Sequence, residues 1–277
     1  MKLSKLSTET IPNNIEGWWE IPEDLYHAGP GFGSSNVKAA LKSPAHVKIK
    51  FPQSDAMKFG TAVHLALLEP NRFEEEYVLK PADIDLRTKG GKDFAKSVAG
   101  KKILSADQAE AIQVIRGRMK DSQTWLELAS FAEPETCLYQ TFDGVLLKGR
   151  CDLISVTEQS VTIVDLKTTK DAGEDFRRSA MGMGYPIQAA LYCDLAQKIF
   201  QRPVTFIWAA IENAEPYGLA FYRADEPTLA YGRGKVMEAL KVLKKAEREG
   251  FSQVYPDTIQ PMSLPRWAEY ELLNEGF

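Results

Sequence analysis

Cysteine is scarce in this chain: Cys137, Cys151 and Cys193 are the three among 277 residues. The number is odd, the spacings are wide and no CxxC occurs, which argues against a disulfide framework, a zinc ribbon or an iron–sulfur staple. Long apolar runs are missing too. The longest, Ala62–Leu68, reaches seven residues only with His64 counted, far short of a bilayer span. Met1 to Asn14 carries Lys2 and Lys5 but no apolar signal-peptide core. These absences lead us to expect a reduced, cytoplasmic protein with no membrane segment. A surplus of positive charge is also lacking. Against 34 Lys and Arg stand 38 Asp and Glu, a net charge of −4, so the chain cannot coat nucleic acid by bulk charge.

What is present is an ordinary globular composition, 44% hydrophobic and 26% charged, which excludes wholesale disorder. Two basic stretches interrupt the acidic background. Arg87, Lys89, Lys92, Lys96, Lys101 and Lys102 face only Asp93 within their interval, and Arg233, Lys235, Lys241, Lys244, Lys245 and Arg248 face Glu238, Glu247 and Glu249. They read either as solvated helix faces or as the lining of a phosphate channel.

Residues 1–33, with Pro12, Pro22, Pro30 and three glycines from Gly29 to Gly33, read as irregular. Ser34 and Ser35 look like N-caps of a short helix running to Lys42. Gly60–Glu69 reads as a buried helix stopped by Pro70, and Ala106–Leu128 as one longer amphipathic helix. The middle of the chain is β: Thr136–Phe142, Val145–Val156 and Val161–Thr168, with Asp143-Gly144 as a hairpin turn. A helix from Pro186 to Phe200, strands at Val204–Ile211 and Gly218–Tyr222, and a long helix over Glu226–Glu249 follow. The tail, 251–277, carries Pro256, Pro261 and Pro265 and reads as extended. The pattern suggests one α/β domain over 1–277.

Turn arithmetic brings acids together. If Asp143-Gly144 is a two-residue turn, paired positions sum to about 287 and Glu135 lies opposite Asp152. If Glu158-Gln159 is the next turn, pairs sum to about 317 and Asp152 lies opposite Asp165. Three carboxylates in one row repel unless a cation sits among them, and a hard divalent ion suits oxygen ligands. Lys167, two residues after Asp165, shares its strand face and could orient or deprotonate a water, or neutralise charge on a phosphate. A salt-bridged surface pair is the plainer reading of Asp-x-Lys by itself. His64, inside an apolar helix, needs a partner; read alone, it is a satisfied core histidine. Gln188 and Tyr192, four apart, share a helix face. Ser35, at a helix start, and Arg150, two before Asp152, could bind an anion such as a phosphate. The alternative is that the serines only cap and Arg150 only pairs with an acid of the row.

The ordered set Gly60-x-x-x-His64, Gly149-Arg-Cys-Asp152, Asp165-Leu-Lys167 and Gln188-x-x-x-Tyr192 resembles the RecB-like branch of the PD-(D/E)XK nuclease superfamily. More narrowly, the chain resembles the exonuclease VIII (RecE) C-terminal nuclease. Further support comes from Tyr26-His27, Ser35 through His46, Phe59–Pro70, Arg87–Lys92, Val164–Thr169 and Tyr255 through Trp267. The resemblance implies a restriction-endonuclease-like core, a central mixed sheet flanked by helices. It implies a Mg²⁺-dependent 5′→3′ exonuclease on double-stranded DNA ends, with Mn²⁺ able to substitute and no iron–sulfur cluster. The 3′ strand would pass to a single-strand annealing protein (RecT-like). Asp152 and Asp165 would be metal ligands, His64 a further one, and Lys167 the water-positioning lysine. Glu135 would be the additional acid, with Glu133 as its rival. Gln188 and Tyr192 would support the site or touch DNA. A homo-oligomeric ring is implied, a tetramer favoured over a trimer. Another RecB-like endonuclease, or an idle DNA-end binder, are the competing readings.

Overall fold

The computed structural model describes residues 11, 15–50, 52–81 and 84–274. Its centre is a six-stranded mixed sheet in the order β1-β4-β5-β6-β7-β8. The strands are β1 (Gly17–Glu20), β4 (Glu133–Phe142), β5 (Val145–Val156), β6 (Val161–Thr169), β7 (Val204–Glu212) and β8 (Leu219–Arg223). Asp143 and Gly144 both take positive φ, 49° and 82°, as a tight hairpin twist demands. Neighbouring strands are antiparallel except β6 and β7, which are parallel. Their connection crosses through α8 (Glu174–Gly182) and α9 (Tyr185–Phe200), as a parallel pair requires.

Two helical layers cover the sheet. α9, α10 (Glu226–Glu249) and the short α2 (Ser34–Ala40) lie on one face. There Leu191, Leu195, Leu240 and Leu243 pack with Leu138, Leu147, Ile163 and Phe206. On the other face α3 (Asp55–Leu68) and α6 (Ala106–Asp121) bring Val63, Ala66, Ile112 and Ile115 against Val164, Leu166 and Ala209. β6 feeds both cores by strict alternation. Val161 and Ile163 serve the first and Val164 and Leu166 the second, so Asp165 and Lys167 belong to the α9 face. Gly60 lets α3 approach closely: a Cβ there would stand 2.9 Å from Thr168 Oγ1 on β6.

Several sequence expectations need correction. The N-terminal region is not irregular throughout. β1 pairs with β4 (Trp18↔Leu138, Trp19↔Cys137) and α1 spans Glu23–Ala28; residues 1–10 and 12–14 lie outside the described set. Gly33, not a serine, is the N-cap of α2, and its N–H is held by the Asn36 side chain at 3.1 Å. Pro70 follows the end of α3 but also opens α4 (Pro70–Glu76), where its missing N–H costs nothing. Ala106–Leu128 is two helices. Ser122 turns extended after α6 and caps α7 (Gln123–Ala129), its hydroxyl accepting the Trp125 N–H at 3.2 Å. A small parallel pair, β2 (Tyr77–Leu79) and β3 (Lys102–Leu104), flanks α5 (Lys89–Ser97). The tail is irregular through residue 265 but ends in α11 (Arg266–Asn274).

The C-terminal basic stretch is largely neutralised in place. Arg233 pairs with Asp194 and Glu226, Lys235 with Glu238, Lys244 with Asp143 and Lys245 with Glu249. In the first stretch Arg87 pairs with Asp85 and Lys102 with Glu76. Half of these twelve cations are thus ion-paired at the surface, four of them in the C-terminal stretch.

Candidate active site

The register follows the turn arithmetic on both sides of β5. Phe142 faces Val145 and Thr136 faces Cys151, while Leu153 faces Val164 and Val156 faces Val161. At the acids, however, the ladders open. Glu135 falls out of the β4–β5 pairing between Pro134 and Thr136 and takes φ 55°, a backbone state that is uncommon for a non-glycine residue and concentrates at functional sites. The β5–β6 ladder ends at Leu153↔Val164. One step on, Asp152 Oδ2 accepts the Leu166 N–H at 2.6 Å, so a carboxylate replaces a strand carbonyl. β5 also changes face here. Val145, Leu147 and Cys151 point into the α9 core, but beyond Asp152 it is Ile154 that does so. The sheet therefore splays around Asp152 and opens a gap among three strands.

Side chains from five elements converge on that gap. His64 of α3 brings Nδ1 to 3.5 Å from Asp152 Oδ2. Asp165, 1% exposed, receives the Gln188 Nε2 amide on Oδ1 at 2.7 Å and meets the Lys167 ammonium through Oδ2 in an ion contact that is not an aligned hydrogen bond. Lys167 also lies 5.1 Å from the centre of the Tyr185 ring. Burial pushes the Asp165 carboxyl up, opposed by Lys167. Burial works against the Lys167 ammonium as well, but Asp165 and Asp152 outweigh it and hold its pKa above the ordinary lysine value. Burial raises Glu135 to about 8 against the pull of Arg150, with Asp152 adding to the rise.

The structure thus gathers His64, Glu135, Asp152, Asp165, Lys167, Gln188 and Arg150. Arg150 is committed to acids: Nε is 2.8 Å from Glu135 Oε2, again unaligned, and Nη1 is 3.6 Å from Glu23 Oε2. Of the two readings open for Arg150, the pairing one matches this geometry. Tyr192 is 5% exposed and lies beneath the site. Its hydroxyl accepts the Arg150 N–H at 3.3 Å, and its ring fills the space over Gly149, where a Cβ would stand 2.7 Å from Cε1. Its contacts are with the β5 backbone at Gly149 and Arg150. Ser35 is an exposed second residue of α2 and does not cap the helix. Sequence reasoning missed Glu23, which links Arg150 to Arg72 at 3.6 Å each, and Tyr185 and Lys38, which reach the site only through tertiary packing.

The family described as a PDDEXK-like domain of unknown function (DUF3799) matches residues 33–261. The chain belongs to this PDDEXK-like family. The fold agrees. The crystal structure of a "putative exonuclease" from Eubacterium rectale superposes with a TM-score of 0.61 over 93% of this chain and 99% of that one, at 13% identity. At that identity the likeness shows the fold, which is restriction-endonuclease-like α/β. The structure of SSO0001 aligns over 81% of this chain and 96% of that one at 16% identity, with a TM-score of 0.28 that carries no argument. No curated protein matches the chain.

Asp152, Asp165 and Lys167 lie on adjacent strands, β5 and β6, and face the same gap. Among the described residues no three His, Cys, Asp or Glu side chains form a finished metal-ligating group. Asp165 is turned to Lys167 and Gln188, and Glu135 to Arg150. The donors nonetheless fit a divalent cation. Three carboxylates are hard oxygen donors and the imidazole is a borderline nitrogen donor, both accepted by divalent ions, and buried Asp165 Oδ2 has no aligned hydrogen bond beyond its ion contact with Lys167.

Proposed function

We propose that the chain is a Mg²⁺-dependent nuclease of the exonuclease VIII (RecE) type. It degrades one strand of linear double-stranded DNA in the 5′→3′ direction and leaves a 3′ single strand for an annealing partner. The observation that carries this reading is the convergence of His64, Asp152, Asp165 and Lys167 at the one place where the sheet splays open. His64, Asp152 and Asp165 would hold the metal, with Glu135 beside them. When bound, a divalent ion supplies Lewis acidity to the phosphate and acidity to a water. The chain's own residues do the rest. Gln188 fixes the Asp165 carboxylate through its 2.7 Å bond. Lys167, kept protonated by its two carboxylate neighbours, neutralises charge that builds on the phosphate oxygens. Tyr192 and Gly149 fix the β5 backbone under Asp152.

A homo-oligomeric ring, a tetramer before a trimer, is part of this proposal, as is a cytoplasmic setting. Supporting the ring is the uncovered apolar surface of the tail, where Ile259 and Met262 are fully exposed and Tyr270 and Leu273 largely so.

Duplexes labelled at the 5′ or the 3′ end of one strand, incubated with Mg²⁺, test the reading. Early release of the 5′ label as short products, with progressive shortening of the 3′-labelled strand, is the expected result. Internal cuts would make the protein an endonuclease, and a mobility shift without degradation would make it an end binder.

A further inference from the structure

The turn Met183-Gly184-Tyr185 separates α8 from α9 and carries a lysine contact at each end. At one, Lys38 of α2 donates from Nζ to the Met183 carbonyl at 3.3 Å. At the other, Lys167 lies 5.1 Å from the Tyr185 ring centre. Gly184 takes φ 67°, and a Cβ on it would stand 2.8 Å from Lys38 Cδ, so the missing side chain is what makes room for the Lys38 stem. Lys167 has Asp165 as its partner. Lys38 has no carboxylate ion pair among the described residues. It is half-buried, and its pKa is lowered by burial and by Lys167, with Asp165 pulling the other way.

This arrangement is costly unless something else enters it. Two ammonium groups hold the two ends of one turn, and of the two only Lys167 has a carboxylate ion pair among the described residues. The turn also begins α9, whose first residues are not capped by a side chain, and a cation near that end of a helix is unfavourable. A bound anion would reverse each of these terms.

We propose that Lys38 is a second phosphate-binding residue of the site, holding a DNA phosphate next to the one on which Lys167 acts. The proposal rests on the nuclease reading and assigns the substrate strand its path: across the Met183–Tyr185 turn and over α2. Ser35, one helical turn before Lys38, lies along the same path.

The test is fluorescence anisotropy of a blunt duplex in EDTA over a series of salt concentrations, so that cleavage does not intervene. Lys38→Gln keeps a donor for the Met183 carbonyl but removes the charge, and Lys38→Arg keeps the charge. For Lys38→Gln we expect roughly 5- to 10-fold weaker binding at low salt and a slope of log K against log salt reduced by about one. Lys38→Arg should restore most of both. A 5′-phosphorylated and a 5′-hydroxyl duplex, run in parallel, distinguish a terminal phosphate from an internal phosphodiester. Wild-type affinity and slope in Lys38→Gln would overturn the proposal and leave Lys38 as a prop for the turn. So would a loss in Lys38→Gln that Lys38→Arg reproduces. Wild-type protein that neither binds nor shortens duplex DNA would overturn the nuclease reading itself, whereas cleavage by the wild type with an unaltered Lys38→Gln slope removes only Lys38.

Discussion

At the residue scale the site is a contest among charges, and its members are not interchangeable. Asp165 is buried with Lys167 and Gln188 as its partners. Deleting its carboxylate would strand the lysine charge, which is expensive in a buried place. Asp165→Asn is therefore the cleaner probe than Asp165→Ala. Lys167→Ala should lose at least about 10²-fold in cleavage rate, while Mn²⁺ binding by calorimetry survives because an ammonium is no ligand. Loss of Mn²⁺ binding in that variant would make Lys167 a structural residue. Gln188 acts through Asp165, not on the substrate. Gln188→Leu removes the bond that fixes the carboxylate and should cost about 10- to 100-fold in metal affinity or activity. Mn²⁺ affinity unchanged in Gln188→Leu would show that Asp165 is held without it.

At the element scale β5 carries the site, and its two flanks can be tested separately. Gly149 is the contact point between β5 and α9. A methyl group there meets the Tyr192 ring at 2.7–2.8 Å, so Gly149→Ala should destabilise the fold by about 1–3 kcal/mol, read as a lowered denaturation midpoint. An unchanged midpoint would mean that Tyr192 moves aside freely. Lys148, 5% exposed, anchors α1 to the same strand by donating to the carbonyls of Tyr26 at 2.6 Å and Gly29 at 2.9 Å. Burial lowers its pKa to about 8, below its value in the unfolded chain, near 10.4. Below about pH 8 the ammonium is charged in both states and its burial penalty is full; between the two pKa values the unfolded chain holds the extra proton. The stability of the wild type relative to Lys148→Met should therefore rise by about 2 kcal/mol from about pH 7.5 to about pH 9.5. A flat or falling difference in denaturant titrations would contradict the shift. Much of this strand was legible in the sequence, because Asp143-Gly144 pins one register and the alternation of Val161–Thr169 pins the other. β1 was not legible, since four residues between prolines become a strand only when β4 offers an edge. Nor could spacing tell that Gln188 would meet an acid while Tyr192, one turn on, would lie beneath Gly149. Lys38, Glu23 and Tyr185 were hidden for the same reason: their roles are set by neighbours that are remote in sequence.

At the scale of the whole molecule the proposed activity raises a difficulty: how an acidic chain would stay on a polyanion. Net charge is −4, and most lysines and arginines of the C-terminal stretch are spent on ion pairs within α10 or with α9 and the β4–β5 turn. That stretch would therefore offer DNA little free charge in one subunit. A closed ring multiplies whatever each copy offers and prevents dissociation between cuts. In the proposed ring the tail would be the means of closing it. Beyond α10 the chain is anchored by the Ala45 N–H on the Gln253 carbonyl at 3.0 Å. It then exposes Ile259, Met262, Leu264, Tyr270 and Leu273, an apolar series that soluble monomers seldom leave uncovered. A neighbouring copy is the covering surface that the proposed ring makes available. Light scattering at micromolar concentration should then give a closed oligomer for the full chain, and a chain truncated after Gln260 should fall to smaller species. The truncated protein should still cleave, because His64, Asp152, Asp165 and Lys167 all lie within one subunit. It should, however, release each duplex after far fewer nucleotides, measured as shorter tracts per binding event under a DNA trap. A full-length protein that is monomeric with and without DNA would remove the ring. Equal tract lengths for the two chains would show that the tail plays no part in holding the substrate.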